Sequence, residues 1–105
     1  MLYVFKLFGE KNLKVALCQI NPAVGDIPVN VRKIIDAYKD ALDNNCDIIV
    51  FPELAITGYP PQDLLLNDKF IKANALAMRK IVKQVSAPAI IGYVRKQRGN
   101  LYNTA

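Results

Sequence analysis

DIIVFPE, residues Asp47 to Glu53, gives the clearest indication of the fold. Its apolar part continues through Phe51 without polar alternation, which is the pattern of a parallel strand covered on both faces. Pro52 has no backbone N–H to donate to a sheet, so it ends the strand and leaves Glu53 just beyond it. We therefore predict a short buried strand with a carboxylate at its C-terminal end.

The segments before this strand predict another strand and a helix. Leu13 to Ile20 is an apolar, β-rich segment that ends at Asn21-Pro22 and a Gly25-Asp26 turn. From about Pro28 to Asn45, apolar residues recur at helical spacing with charged residues between them, which predicts an amphipathic helix that starts near Asp26. Its apolar stripe consists of Val31, Ile34 or Ile35, Tyr38 and Leu42.

The segments after residue 53 repeat this alternation. A loop from Glu53 to Leu66 leads into a second helix, predicted from about Asp68 to Val85. Ala89 to Val94 predicts a third strand, and Leu101 to Ala105 a fourth that pairs back with it as a hairpin. The stripe expected on the second helix is Ile71, Ala75, Met78, Val82 and Val85.

Strands that alternate with helices of this length indicate an α/β fold with a mostly parallel sheet and right-handed crossovers. The predicted order is β-α-β-α-β-β, and crossovers of one hand place both helices on the same face of the sheet. The strands at 47–51 and 89–94 are apolar on both faces, so we expect an incomplete sheet. Its other face and its last edge would need cover from a partner or from further chain.

Composition and charge exclude several classes of protein. A chain that is 52% hydrophobic and 22% charged is typical of a globular domain. The apolar residues from Met1 to Phe8 are too few for a membrane span and are interrupted by Lys6, so we predict a cytoplasmic protein with no membrane contact. The net charge of +5 comes from scattered bases apart from one group at 95–98. We interpret that group as a solvated turn and expect no nucleic-acid partner, because no aromatic residues interleave with it.

The two cysteines do not form a recognisable metal or disulfide pattern. Cys18 and Cys46 lack metal-ligand spacing, and the chain has no histidine. Two cysteines are also too few for the disulfide framework of a small secreted domain. We predict two buried, unreactive thiols and no metal site.

Position makes Glu53 the residue to test for chemistry. In open parallel sheets, ligands bind beyond the carboxyl ends of the strands, and here those ends carry Asn21-Pro22 and Pro52-Glu53. The fixed φ of Pro52 would deliver the carboxylate at a defined point among apolar neighbours, which suits a general base. By position alone, however, a carboxylate after a strand is more often a solvated or capping residue.

Four stretches carry a resemblance to a known family: VALCQINPAVGDIPVNVRKI (15–34), DIIVFPELAITGYPPQDLLL (47–66), PAIIGYV (88–94) and LYNTA (101–105). From about Leu13 to Ala105 the chain resembles the N-terminal portion of the carbon-nitrogen hydrolase (nitrilase) superfamily. Within that superfamily, GYPPQDLLL most resembles the glutaminase domain of the glutamine-dependent NAD+ synthetases.

The resemblance implies a nitrilase-like four-layer αββα sandwich, of which this chain would form part, and a Glu-Lys-Cys catalytic triad. Glu53 matches the glutamate that acts first as general base. Tyr59 matches a loop tyrosine near the bound substrate, with stacking on its own Pro60-Pro61 loop as the alternative. In the family mechanism the glutamate takes the cysteine proton and the thiolate attacks the glutamine carboxamide. The lysine stabilises the oxyanion, ammonia leaves, and water hydrolyses the thioester.

The resemblance also implies what this segment would lack. The family lysine and cysteine would lie beyond Ala105, so we expect the isolated chain not to hydrolyse glutamine. We divide the chain into an N-terminal extension, 1–12, and a truncated N-terminal portion of a carbon-nitrogen hydrolase domain, 13–105. No cofactor is expected within the segment, because ATP and deamido-NAD would belong to a separate synthetase domain. The expected partners are glutamine and a complementary chain or a second copy.

Three other interpretations stay open. The chain could be a noncatalytic gene remnant, which poor solubility without a partner would favour. It could be part of another amidase of the nitrilase family. It could also be a small basic α/β module that binds phosphates through Arg95, Lys96 and Arg98, although the sequence has no glycine-rich phosphate loop.

Overall fold

Two sheets and two helices form the part of the chain that the computed structural model describes, residues 2–7 and 13–105. The elements in chain order are β1 (Leu2–Leu7), β2 (Leu13–Cys18), α1 (Ile27–Asp43), β3 (Ile48–Val50), α2 (Asp68–Val82), β4 (Ala89–Ile90), β5 (Tyr93–Gln97) and β6 (Asn100–Thr104), with a short 3-10 helix over Gln62–Leu66 before α2. The α/β class is confirmed. Strand β1 was not predicted; the other residues of the predicted extension 1–12 lie outside the described ranges.

The larger sheet has the order β1-β2-β3-β4. Strands β2, β3 and β4 are parallel, and β1 is antiparallel to β2. Asp47 fixes the register of β2 against β3, because its N–H donates to the Lys14 carbonyl at 2.7 Å and its Oδ2 accepts from the Lys14 N–H at 2.7 Å. Because β2 and β3 are parallel, their C-terminal ends meet at one edge of the sheet.

Helix α1 follows its predicted pattern closely. It begins after Asp26, whose Oδ1 accepts from the Val29 N–H at 3.3 Å, and it ends before Asn45, which takes a left-handed φ of 58°. Its buried positions include Ile34, Ile35 and Tyr38, as predicted. Asn30 is also fully buried, which the apolar pattern did not indicate.

The stripe predicted for α2 is wrong by about one position. Val82, placed on the buried face, is 60% exposed, whereas Ile81 is fully buried. The buried face consists of Ile71, Asn74, Ala77 and Ile81. Asn74 is polar and so does not appear in an apolar stripe. It is buried because its carboxamide binds the backbone of Val94. Neither α1 nor α2, the two long helices of the described residues, could cross a membrane.

Both helices pack on one face of the larger sheet, as predicted. The core joins Ala16 and Ile49 of the sheet to residues of α1 and α2 such as Ile34 and Ile81. The opposite face carries Leu17, which is 41% exposed, and Ile90, which is 49% exposed. In the described residues this face has no covering layer, so the sheet is incomplete in the way the sequence indicated.

The single third strand predicted from Ala89 to Val94 is wrong. The chain leaves the larger sheet after Ile90, and β5 begins a separate two-stranded sheet at Tyr93. The break falls at Ile91 and Gly92, where the backbone packs against the segment that follows β3. The hairpin itself is confirmed: β5 pairs antiparallel with β6. Arg98 and Gly99 form its tight turn with φ of 51° and 81°.

Candidate active site

Glu53 opens a tight turn directly after β3. The Phe51 N–H donates to the Ile90 carbonyl at 2.8 Å, which anchors the chain to the neighbouring strand just before Pro52. Leu54 then takes a left-handed φ of 48°, and the Gly58 N–H donates back to the Leu54 carbonyl at 2.9 Å. The turn therefore fixes the backbone on both sides of the glutamate.

Gly92 packs against this backbone at a distance that only glycine allows. A Cβ at position 92 would lie 2.6 Å from the Pro52 carbonyl oxygen, 2.9 Å from the Glu53 Cα and 2.5 Å from the Leu54 nitrogen. These neighbours are backbone atoms, which cannot move aside as a flexible side chain can. The connection between β4 and β5 thus forms a wall against Glu53.

A second contact reaches the carboxylate itself. The Asn103 side chain on β6 donates a hydrogen bond from Nδ2 to Glu53 Oε1, although 50 residues separate the two in sequence. Between the turn and the hairpin lies a cleft of about 320 Å³. Its lining residues are Phe51, Pro52, Glu53, Gly92, Asn103, Thr104 and Ala105. Asn103 and Gly92 were not predicted as site residues, because no local sequence pattern indicates that a residue contacts a turn far away in the chain.

Two buried polar residues connect the turn to the loop after β2. The Asn30 carboxamide accepts from the Ala23 N–H at 2.7 Å and donates to the Ala23 and Ile56 carbonyls at 2.7 and 2.9 Å. The Thr57 carbonyl accepts from the Gly25 N–H at 2.9 Å. The loops at the carboxyl ends of β2 and β3 therefore form one hydrogen-bonded unit, which fixes the edge that carries Glu53.

The expected apolar surroundings of Glu53 are wrong for the described residues. Its side chain is exposed, and its partner is the polar amide of Asn103. The side chains of Phe51 and Leu54 are buried in the core and do not surround the carboxylate. Sequence proximity to apolar residues did not predict the exposure of the residue between them.

Tyr59 lies at the far end of the same loop and is 65% exposed. It is not among the residues that line the cleft beside Glu53. Within the described residues, Glu53 and Tyr59 therefore share a loop but do not share a cleft.

Both cysteines are free and buried, as predicted. Cys18, the last residue of β2, is 3% exposed, and Cys46 is 6% exposed. Burial, with a contribution from nearby Cys46, raises the pKa of Cys18 to about 11. A thiol with so high a pKa is largely protonated at neutral pH and is a weak nucleophile. Among the described residues, no group of three or more histidine, cysteine, aspartate or glutamate side chains could hold a metal ion.

A larger, mainly apolar cavity lies on the other side of Phe51 and Pro52. Its volume is about 660 Å³, and it opens on the uncovered face of the sheet. Its lining residues are Leu17, Cys18, Gln19, Ile20, Val50, Phe51 and Pro52. Glu53 does not line it, so size alone does not identify the place where the carboxylate could act.

The basic group at the hairpin is exposed to solvent, as predicted, but the prediction of a turn from Arg95 is wrong: Arg95 and Lys96 lie on β5, and only Arg98 lies in the turn. Arg95, Lys96 and Arg98 are exposed, and Lys96 Nζ lies 3.6 Å from Asp68 Oδ1. An ion pair this exposed contributes little to stability, on the order of a few tenths of a kcal/mol.

Residues 14–105 match the family model described as carbon-nitrogen hydrolase. The chain is 36% identical over 98 residues to a glutamine-dependent NAD(+) synthetase of Thermotoga maritima, and this match covers 90% of the chain. It is 33% identical over 96 residues to the enzyme of that name from Acinetobacter baylyi. The chain spans 17% and 18% of the lengths of these two relatives.

Solved structures show the same similarity. A glutamine-dependent NAD+ synthetase from Acinetobacter baumannii superposes with a TM-score of 0.82 at 36% identity, over 89% of this chain and 18% of that one. An amidase from Nesterenkonia sp. superposes with a TM-score of 0.69 at 21% identity, over 81% of this chain and 33% of that one. The second likeness shows the fold alone. The described residues thus form part of a nitrilase-type α/β fold.

Proposed function

The chain belongs to the carbon-nitrogen hydrolase family, and on that premise we propose that it forms the glutamate-bearing part of a glutaminase that serves NAD+ synthesis. The support for the branch is the similarity to proteins named glutamine-dependent NAD(+) synthetase, at 36% identity over most of the chain. In this proposal the ammonia released from glutamine amidates deamido-NAD in a separate, ATP-using domain. We propose the cytoplasm as its location, in keeping with two free thiols in a chain of this size.

The observation that carries the proposal is the placement of Glu53. It stands at the carboxyl end of β3, where parallel sheets bind ligands, and its backbone is fixed by the turn and by Gly92. A general base needs such a fixed position, because a proton transfer depends on distances set within a few tenths of an ångström. The open cleft beside the carboxylate leaves room for a substrate and a nucleophile.

The proposed chemistry starts with a proton transfer to Glu53. Its carboxylate takes the proton of a cysteine thiol, and the thiolate attacks the carboxamide carbon of glutamine. The C–N bond breaks as ammonia leaves with a proton returned through Glu53, and a thioester remains. Water activated by the same carboxylate then hydrolyses the thioester to glutamate and free thiol.

We propose that the thiol comes from outside residues 1–105. Cys18 is buried in a strand with a raised pKa, and Cys46 is buried behind the C-terminal end of α1. Neither lines the cleft beside Glu53. On this proposal the isolated chain does not hydrolyse glutamine, and a lysine supplied with the nucleophile stabilises the oxyanion.

We propose a role in substrate contact for Tyr59. Its ring is exposed at the surface of the loop that carries Glu53, and an exposed aromatic side chain is available to a ligand or to a covering segment. Removing the ring in Tyr59→Ala is expected to raise the KM for glutamine more than it lowers kcat. A conservative Tyr59→Phe variant separates the hydroxyl from the ring.

The test begins with the native state of the polypeptide. A chromosomal affinity tag on this sequence allows the protein, with anything that copurifies, to be isolated from its source cells and its intact mass measured. We expect a larger polypeptide or an assembly that releases ammonia from glutamine, and an isolated 105-residue chain that does not. A lone chain of 11.7 kDa without activity would instead identify a remnant. Faster turnover of another amide than of glutamine would identify a different amidase of the family.

A further inference from the structure

The β5–β6 hairpin meets Glu53 at two points. Gly92, just before β5, packs against the backbone of residues 52–54, and Asn103 on β6 hydrogen-bonds the carboxylate. The first contact fixes where the Cα lies, and the second fixes where the side chain points. Among the described residues, Asn103 is the one whose side chain donates a hydrogen bond to this carboxylate.

The chemistry of this bond assigns the two groups without ambiguity. A carboxylate accepts only, so the Asn103 amide must present its NH₂ end to Glu53. A carboxylate offers about four acceptor sites, and one amide donor leaves the others for a thiol or a water. Asparagine is also neutral at every pH in use, so it orients the base without competing for its proton.

Asn103 is itself held in place from the core. It lies opposite Val94 in the register of the hairpin. The Val94 N–H donates to Asn74 Oδ1 at 3.3 Å, and the Val94 carbonyl accepts from Asn74 Nδ2. Asn74 is fully buried on α2. The contact to Glu53 therefore comes from β6, which pairs with β5, and β5 is fixed by a buried side chain.

We infer that Asn103 is a positioning residue for Glu53, which holds the carboxylate in the orientation from which it accepts the nucleophile's proton. This inference rests on the proposed function. Asn103 is exposed, so its side chain contributes little to folding, and its removal should act on the base rather than on the fold. That difference separates a positioning role from a structural one.

The kinetic test uses the glutamine-hydrolysing polypeptide or assembly that contains this chain, with wild type and Glu53→Gln as references. Asn103→Ala is expected to lower kcat by about 10-fold to 100-fold with little change in the KM for glutamine, because misorientation of a base affects the chemical step. Asn103→Asp, which keeps the shape but loses the donor and adds a like charge, should be at least as slow. Asn100→Ala, an exposed asparagine of the same strand, is the matched control and should match wild type.

An unchanged kcat in Asn103→Ala, or a loss confined to KM, would overturn the inference. The urea midpoint of each variant is measured beside the kinetics, and a kcat loss that tracks a fall in this midpoint would likewise assign Asn103 a structural role. If the wild-type assembly does not hydrolyse glutamine, the proposed function fails, and NMR of the 105-residue chain decides the contact. The side-chain amide resonance of Asn103 should shift in Glu53→Gln, and an unmoved resonance would overturn the inference.

Discussion

Replacing Gly92 with alanine should push the backbone of the Glu53 turn away from the hairpin. The new Cβ would lie 2.5 Å from the Leu54 nitrogen, whereas ordinary contact begins at 3.4 Å, so the overlap to be relieved is 3.4 − 2.5 = 0.9 Å. The neighbouring atoms belong to the backbone on both sides of Glu53, so the shift cannot be absorbed by a side-chain rotation. Overpacking of this kind costs about 1–3 kcal/mol of unfolding free energy.

The assay combines urea unfolding with amide NMR. Gly92→Ala should lower the unfolding free energy by that amount, and the largest chemical-shift changes should fall on residues 52–54. In the glutamine-hydrolysing assembly, a displacement approaching 1 Å should lower kcat by on the order of 100-fold. Gly99→Asn is the control, because a Cβ there meets nothing within 4 Å and asparagine tolerates its φ of 81°. Wild-type stability and unshifted resonances in Gly92→Ala would refute the close approach.

Three further substitutions test the loops and the core. Asn30→Ala should lower the unfolding free energy by about 2–4 kcal/mol, because three backbone groups lose a buried hydrogen-bond partner. Asn21→Ala, at an exposed position, is the control and should change the unfolding free energy by less than about 0.5 kcal/mol. Urea unfolding measures both changes. Cys18 has its folded pKa raised from 9.0 to about 11, so stability present below pH 9 should be lost as pH rises toward 11. That loss should be about 2–3 kcal/mol relative to Cys18→Ala, and parallel pH curves for the two proteins would contradict it. Burial tends to raise the pKa of Tyr38, but hydrogen bonds from the 86–87 segment bring this pKa below its ordinary value. Tyr38→Phe removes the oxygen that accepts from two backbone N–H groups, and should lower the unfolding free energy by about 1–3 kcal/mol. An unchanged unfolding free energy would contradict this.

The features that follow from local pattern were predictable from the sequence. The apolar stretch 47–51, the stop at Pro52 and the helical spacing in α1 identify strand, edge and helix because each depends on neighbours in the chain. The same patterns placed Glu53 at the carboxyl end of β3 and both helices on one face of the sheet. These placements are confirmed, while the catalytic role of Glu53 stays a prediction.

The features that depend on distant contacts were not predictable in this way. Asn74 looks like a surface residue of α2 until Val94 is known to lie beside it, so its place on the buried face could not be read from the apolar pattern. The break at Gly92 has the same origin, since an apolar run gives no sign that a second backbone will approach within contact distance. Strand β1 was missed although Tyr3, Val4 and Phe5 favour strands, because the segment was considered only as a membrane span and its pairing with β2 was not recognised. Asn103 became a candidate only through its contact with Glu53.

Whether Glu53 is the base of a glutamine hydrolysis is tested by the rate of ammonia release from glutamine by the native assembly with Glu53→Gln in place of wild type. Glutamine is nearly the same size as glutamate but accepts no proton, so the fold is retained and the base is lost. We expect kcat to fall by about 100-fold to 10,000-fold with unchanged assembly and mass. A Glu53→Gln variant that releases ammonia at the wild-type rate would contradict it.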